Sequence, residues 1–328
     1  MQGLLLGWES CCTSSKVLRF VDINLRGIGQ VMFQDNPLSG LLFFIAIGWG
    51  SYASGMPRVA TGGMAAVVVA TLTAQWLNVD AADLGAGLFG YNAYLAGLAL
   101  PTFLAPSPLL WIYIALGAIV SVPATLGIAN MCKTWGVAAL TAPFVLVTWL
   151  MLLATYAFTA IDGSGLPRTD AIVPIDPMAA NPLAFRDFIH GMLMSIGQVF
   201  LKASVLAALL LIVGLAVNSI AAATFALTGA IVGVITAHVL GAESNLITGG
   251  LMGFSPVLTA IAIGAVFNKP GARVAIYALV ATIFTVVVQG AMNVVLTPFG
   301  IPTLTGPFVL ATWLFLLPHQ RFDPAPET

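Results

Sequence analysis

Residues 141–153 read TAPFVLVTWLMLL, and residues 305–317 read TGPFVLATWLFLL, identical at 10 of 13 positions with an offset of 164. A single match of this length could be chance, so its neighbours decide its meaning. GIGQVMF at 27–33 returns as SIGQVFL at 195–201, an offset of 168, and LFGYNAYLAGLAL at 88–100 returns as LMGFSPVLTAIAI at 251–263, an offset of 163. Three blocks in one order at nearly constant spacing are the mark of an internal duplication.

The medium around the two copies follows from composition. The chain is 59% hydrophobic and 7% charged over 328 residues, with a mean hydropathy of +1.02, whereas an average soluble protein carries about 25% charged residues. So few charges cannot cover a solvated surface of this size, and lipid must contact most of it. A hydrocarbon core about 30 Å thick takes roughly 20 apolar residues of helix. Such runs lie near 36–56, 58–78, 84–105, 107–131 and 136–158, and again near 203–220, 221–241, 245–267, 272–297 and 303–318. The expected fold is therefore an all-α polytopic membrane protein of two five-span repeats, 16–158 and 183–318. Mixed-polarity helical segments at 16–34 and 183–201 open the two repeats. A polar linker, 159–182, joins them, and tails at 1–15 and 319–328 flank them.

An odd number of spans forces the second copy to enter from the opposite side, which gives inverted topology. With the N-terminus inside, Lys16, Arg19, Arg26, Lys133, Lys269, Arg273 and Arg321 fall on the cytoplasmic side. Asp162, Asp170 and Asp176 fall outside with Arg168. That distribution fits the positive-inside bias and puts both termini in the cytoplasm. Residues 1–15 hold Glu9 and no basic run, so no cleaved leader is expected. Three cysteines without paired spacing imply no disulfide framework, and unmodified Cys11 and Cys12 are favoured over an acylated pair. No basic run points to nucleic acid.

Residues 80–105 and 243–267 each begin with acids (Asp80 and Asp83; Glu243), pass through GAGLFG or TGGLMG, and reach Tyr91-Asn92 or Phe254-Ser255. Glycine in a helix interior is unfavourable by about 1 kcal/mol. Each segment is read as a short re-entrant half-helix followed by a spanning helix. One long helix whose glycines allow close packing is the alternative. No Asp, Glu, Lys or Arg falls in the middle of a span, and His238 is the one ionisable candidate at depth, read as a packing residue. Ion-coupled carriers place charges there, so a neutral, uncoupled solute is expected. The polar residues at depth come in pairs: Gln30 and Gln198, Asn92 and Ser255, Thr141 and Thr305. Each Thr stands two residues before a Pro, whose missing amide is expected to leave carbonyls free beside the hydroxyl. The alternative is a hydroxyl bonded to its own helix.

The T-x-P-F blocks, the G-Y-N and G-F-S segments and the duplicated Gly-Gln-Val blocks together resemble the urea transporter family, over about residues 20–318. The resemblance is to bacterial members, which implies residence in the inner (plasma) membrane. It implies one pore per subunit at the interface of the two repeats, in a homotrimer held in membrane lipid, with urea as permeant and no cofactor. By motif, Thr141 and Thr305 would form the central constriction. Phe33, Tyr91 and Leu95 would wall one slot, and Leu201, Phe254 and Leu258 the other. Gln30 and Gln198 would supply polar edges, with the backbone of Val31 and Val199 beside them. The chain departs from the family in Tyr91 for Phe, Leu201 for an aromatic residue, Gln198 for Glu in some members, and Ala138 opposite Pro302. Urea is flat and neutral, with four N–H donors and one acceptor. Burying such an amide without partners is unfavourable by several kcal/mol, so oxygen atoms along a slot suit it. Other readings are a channel for ammonia, water or short amides, or an ion-coupled transporter. An intramembrane enzyme is disfavoured, since no Ser/His, HExxH or paired-Asp constellation is present at depth.

Overall fold

The computed structural model describes residues 2–173, 176–320 and 322, and within them all regular structure is helical. The first half contains α1 (Gln2–Ser14), α2 (Lys16–Gln30), α3 (Pro37–Ala53), α4 (Pro57–Trp76), α5 (Ala81–Gly85), α6 (Tyr91–Phe103), α7 (Pro108–Thr134) and α8 (Ala142–Ala154). The second contains α9 (Phe185–Gln198), α10 (Val205–Asn218), α11 (Ile220–Val239), α12 (Ser244–Thr248), α13 (Phe254–Ile261), α14 (Ala272–Leu296) and α15 (Gly306–Leu316). A wider π turn, Ala262–Val266, extends α13. Helix starts are written locally: the side chain of Asn36 accepts from the amides of Leu38 and Ser39 ahead of α3, and Ser107 caps α7. Pro37 and Pro108 follow these caps, where a missing N–H has no helical partner to lose.

Among the described residues four helices are long and apolar enough to cross a membrane: Pro57–Trp76, Pro108–Thr134, Ile220–Val239 and Ala272–Phe299, the last including a closing 3-10 turn. The chain is thus a multi-pass membrane protein, but not every expected apolar run forms a helix of spanning length. Helices α6 and α8 have 13 residues each, and at 1.5 Å per residue such a helix reaches about 20 Å, short of the roughly 30 Å needed. Non-helical backbone at 137–140 and 301–304 leads into α8 and α15. Ala139, Leu140, Ile301 and Leu304 are buried there, as backbone without helical hydrogen bonds must be at membrane depth. The Gly-rich segments resolve in the same way. A five-residue helix turns at Gly87 or Gly250, with φ of 77° and 76°, before α6 or α13 begins.

Other details also depart from expectation. Residues 2–14 form a helix rather than a tail, and the indole N–H of Trp8 donates to Asp22 Oδ1 at 2.7 Å. Asp22 is buried and also accepts from Arg26, which reaches Asp35 at 2.8 Å. His238 is not the expected buried packing residue. It is exposed in the last turn of α11, where a basic side chain suits the helix dipole. Arg321, Pro174, Ile175 and the tail from 323 onward lie outside the described residues.

The halves correspond in backbone detail: α4 and α5 match α11 and α12 in length at an offset of 163. Rare left-handed residues recur in step, with φ of 62° and 55° at Phe33 and Leu201, and of 53° and 50° at Leu140 and Leu304. The main core lies between the halves and contains Phe43, Tyr94, Phe144, Phe200 and Phe308. Helices α3 and α10 are in close contact, with Gly214 leaving room for the Phe43 ring.

Candidate permeation site

Thr141 and Thr305 stand at the N-cap positions of α8 and α15. Their hydroxyl oxygens are 2.6 Å apart, and each residue is 3% exposed. The hydroxyls bond each other across the halves, not back to their own helices. Pro143 and Pro307 occupy the first turn of their helices, where an amide is unpaired in any case. They start helices instead of disturbing them, which corrects the expectation of carbonyls freed by proline. Two hydroxyls carry two protons and four lone pairs, and their mutual bond uses one of each. One donor and three acceptor sites remain unused within the pair.

The flanking contacts are reciprocal. Trp149 Nε1 donates to the carbonyl of Pro302 at 2.9 Å, and Trp313 Nε1 donates to that of Ala138 at 2.8 Å. Both members of the second pair sit 164 residues from their counterparts in the first. Gln30 and Gln198 end α2 and α9, and their amide nitrogens hold the carbonyls of Ala86 and Gly249 at 2.9 and 3.0 Å. The glutamines thus tie down the turns after α5 and α12. Val31 and Val199 follow them, buried at 2% and 1% exposure. Phe33 and Leu201 then turn the chain, and Gln34 and Lys202 donate back to Gly29 and Gly197 at 3.0 and 3.1 Å. A left-handed non-glycine residue is unfavourable by about 1–3 kcal/mol; here it aims a chosen side chain.

A cavity of about 1340 Å³ opens near the linker residues Arg168 and Asp170 and reaches Thr305. Gln198, Val199, Leu201, Phe254, Leu304 and Thr305 line it. Gln30, Val31, Phe33, Tyr91, Leu95 and Thr141 lie outside its lining, as does Leu258. Leu95 and Leu258 are fully buried. On the first-half side, Phe33 packs edge-on against Phe267 and Phe308, with ring centroids 6.0 and 6.1 Å apart. On the second-half side Leu201 lines the cavity together with Phe103 and Phe144. The Tyr91 hydroxyl donates to the Leu140 carbonyl at 2.7 Å, so it occupies an acceptor next to Thr141. Its counterpart Phe254 has no hydroxyl to do the same to Leu304. Tyr91→Phe is therefore expected to release one acceptor and change solute flux by less than about threefold. Apparent stability should fall by about 1 kcal/mol, the usual net value of one hydrogen bond; stopped-flow flux and thermal melting check both.

Some site features were not foreseen from the residues. Gln289 Nε2 donates to Thr303 Oγ1 at 2.8 Å and to Asn293 Oδ1 at 3.0 Å, while its own buried oxygen accepts from no group among the described residues. All three residues line the cavity. A Gln and an Asn four apart in the apolar sequence of α14 were the available signal. Asn92, by contrast, is structural: its oxygen accepts from the Phe144 amide at 3.3 Å and its nitrogen donates to Thr125 at 3.2 Å. Among the described residues no group of three or more His, Cys, Asp or Glu could hold a metal.

A multi-pass helical protein whose two halves meet over neutral oxygens is built for transport. Residues 21–320 match the urea transporter family, and the chain belongs to that family, whose members are transport proteins and not enzymes. It is similar to urea transporter 1 of sheep (Ovis aries) and of goat (Capra hircus), each 30% identical over 92% of this chain and 78% of the relative. Rat (Rattus norvegicus) urea transporter 1 is 29% identical over 92% of this chain and 77% of its own.

Proposed function

We propose that the chain is a passive channel carrying urea down its gradient, along a path between residues 16–158 and 183–318 that passes the Thr141–Thr305 pair. The observation that carries this is the pair itself, reached from one side by a mostly apolar cavity whose lining includes Thr303, Thr305, Gln198, Gln289 and Asn293. Urea shedding water needs acceptors for its N–H groups, and neutral oxygens supply them without holding the solute as an ion would. The glutamines anchor the turns; of the slot residues, Leu201 and Phe254 wall the cavity, Phe33 and Tyr91 stand on the first-half side, and the fully buried Leu95 and Leu258 back them from the core.

Reciprocal tryptophan-to-carbonyl bonds are the contacts a twofold axis generates, since i meets j′ and j meets i′. With an odd number of segments per half, such an axis lies in the membrane plane and the repeats are inverted. In this arrangement residues 159–182 are extracytoplasmic, both termini are cytoplasmic, and the home membrane is a bacterial inner membrane. The family resemblance adds a homotrimer surrounded by lipid. Each subunit keeps its own pore, because both linings come from one chain.

Coupling is the direct test. In liposomes containing purified protein, urea flux should follow the urea gradient alone and be unaffected by imposed proton or sodium gradients, given the neutral hydroxyl pair at its centre. Uphill urea accumulation driven by either gradient would contradict a channel.

A further inference from the structure

Lys202 is 4% exposed, lines the cavity, and has no hydrogen-bond or ion-pair partner for its ammonium among the described residues. A buried lysine without a partner is unfavourable for folding alone. Its counterpart in the other half, 168 residues earlier, is Gln34, whose amide is satisfied on both sides. Gln34 donates to Met32 O at 2.7 Å and accepts from Asn218 at 3.1 Å. The position matching Asn218 is Gly50, and the lysine stem lies over it, with Cβ and Cδ 3.4 Å from where a Gly50 Cβ would stand. The exchange of Asn for Gly thus makes room for a long side chain and removes its partner. Arg58, itself bonded to the Pro101 carbonyl, is near enough to repel the ammonium. Asp170, Asp176 and Glu243 line the same cavity, yet none pairs with Lys202.

The path has a selectivity problem that shape cannot solve. Guanidinium is flat, close to urea in size, and all donor, so a slot lined with acceptor oxygens would favour it over urea. We propose that Lys202 is the charge filter of the linker-side mouth, its ammonium repelling planar cations that the acceptor oxygens further along the path would otherwise take, while neutral amides pass it. This rests on the urea-channel reading. It adds a specificity residue at one mouth only, since Gln34 is neutral.

The test measures urea efflux from liposomes with methylguanidinium as blocker on the linker side, for wild type, K202M, K202Q and K202R. Wild type and K202R should be weakly blocked. In K202M and K202Q the half-blocking concentration should fall about tenfold, the scale of one unit charge acting over several Å in protein surroundings. Unblocked urea flux should stay within about threefold of wild type, since no urea-anchoring oxygen is removed. Equal block in all four proteins overturns the filter. So does loss of urea conduction in both neutral variants, which would make the ammonium part of conduction itself. Absence of urea flux in wild type would instead overturn the channel reading.

Discussion

Replacing Thr141 or Thr305 by Val is expected to lower urea flux by roughly 5- to 150-fold, the kinetic equivalent of losing one hydrogen bond to a buried polar group, about 1–3 kcal/mol. Val keeps the volume and branching of Thr and deletes the oxygen. Both residues are buried at 3% exposure and face each other at 2.6 Å, so either change also orphans the remaining hydroxyl. The single variants should resemble each other within a few fold. The double variant should be less damaged than the product of the singles, because the two residues act as a unit and their effects couple. Helix starts should survive, since Pro143 and Pro307 remain in place. Flux within twofold of wild type in both single variants would remove the threonines from the path.

The second large effect concerns the turns that shape the site. Gly87 and Gly250 hold φ of 77° and 76°, and a Cβ on either would fall 2.3 Å from backbone of Gly27 or Met194. Gly87→Ala and Gly250→Ala therefore combine left-handed strain with a backbone clash, about 2–6 kcal/mol together. The apparent melting temperature in detergent should drop by roughly 5 °C or more. Flux should collapse with it, because Gln30 and Gln198 hold the carbonyls next to these turns. Gly241→Ala separates the contributions: φ is 72°, but nothing lies within 4 Å of the added carbon. It should show strain alone and a smaller drop. Equal losses at 87, 250 and 241 would mean that close packing of the turns against α2 and α9 contributes nothing.

The duplicated blocks carried much of this fold because they mark backbone events, not merely similar composition. T-x-P-F begins α8 and α15, Gly-Gln-Val ends α2 and α9, and the Gly-rich stretches hold the left-handed turns. Helix length was less legible. Apolar runs of 20 residues read as full spans, but hydropathy responds to burial in lipid or protein and cannot tell a 13-residue helix from one joined to buried extended chain. The threonines were placed by their spacing from proline, although their mutual bond depends on two helices meeting across 164 residues. Lys202 was hidden for a related reason. Its burial comes from a Gly standing on α3 where the other half has Asn, a long-range relation that no local pattern in 195–204 records. Gln289 and Asn293 left a faint i, i+4 signal in α14.

The most direct measurement closes the path where it is said to be narrowest. In a background with Cys11, Cys12 and Cys132 replaced by Ser, T141C/T305C puts two thiols where hydroxyls now stand 2.6 Å apart. Stopped-flow urea flux in liposomes is then compared before oxidation, after oxidation and after reduction, with mass spectrometry confirming the bond. A solute path beside this pair predicts that the disulfide brings flux close to that of empty liposomes and that reduction restores it. A confirmed disulfide with undiminished urea flux would contradict it.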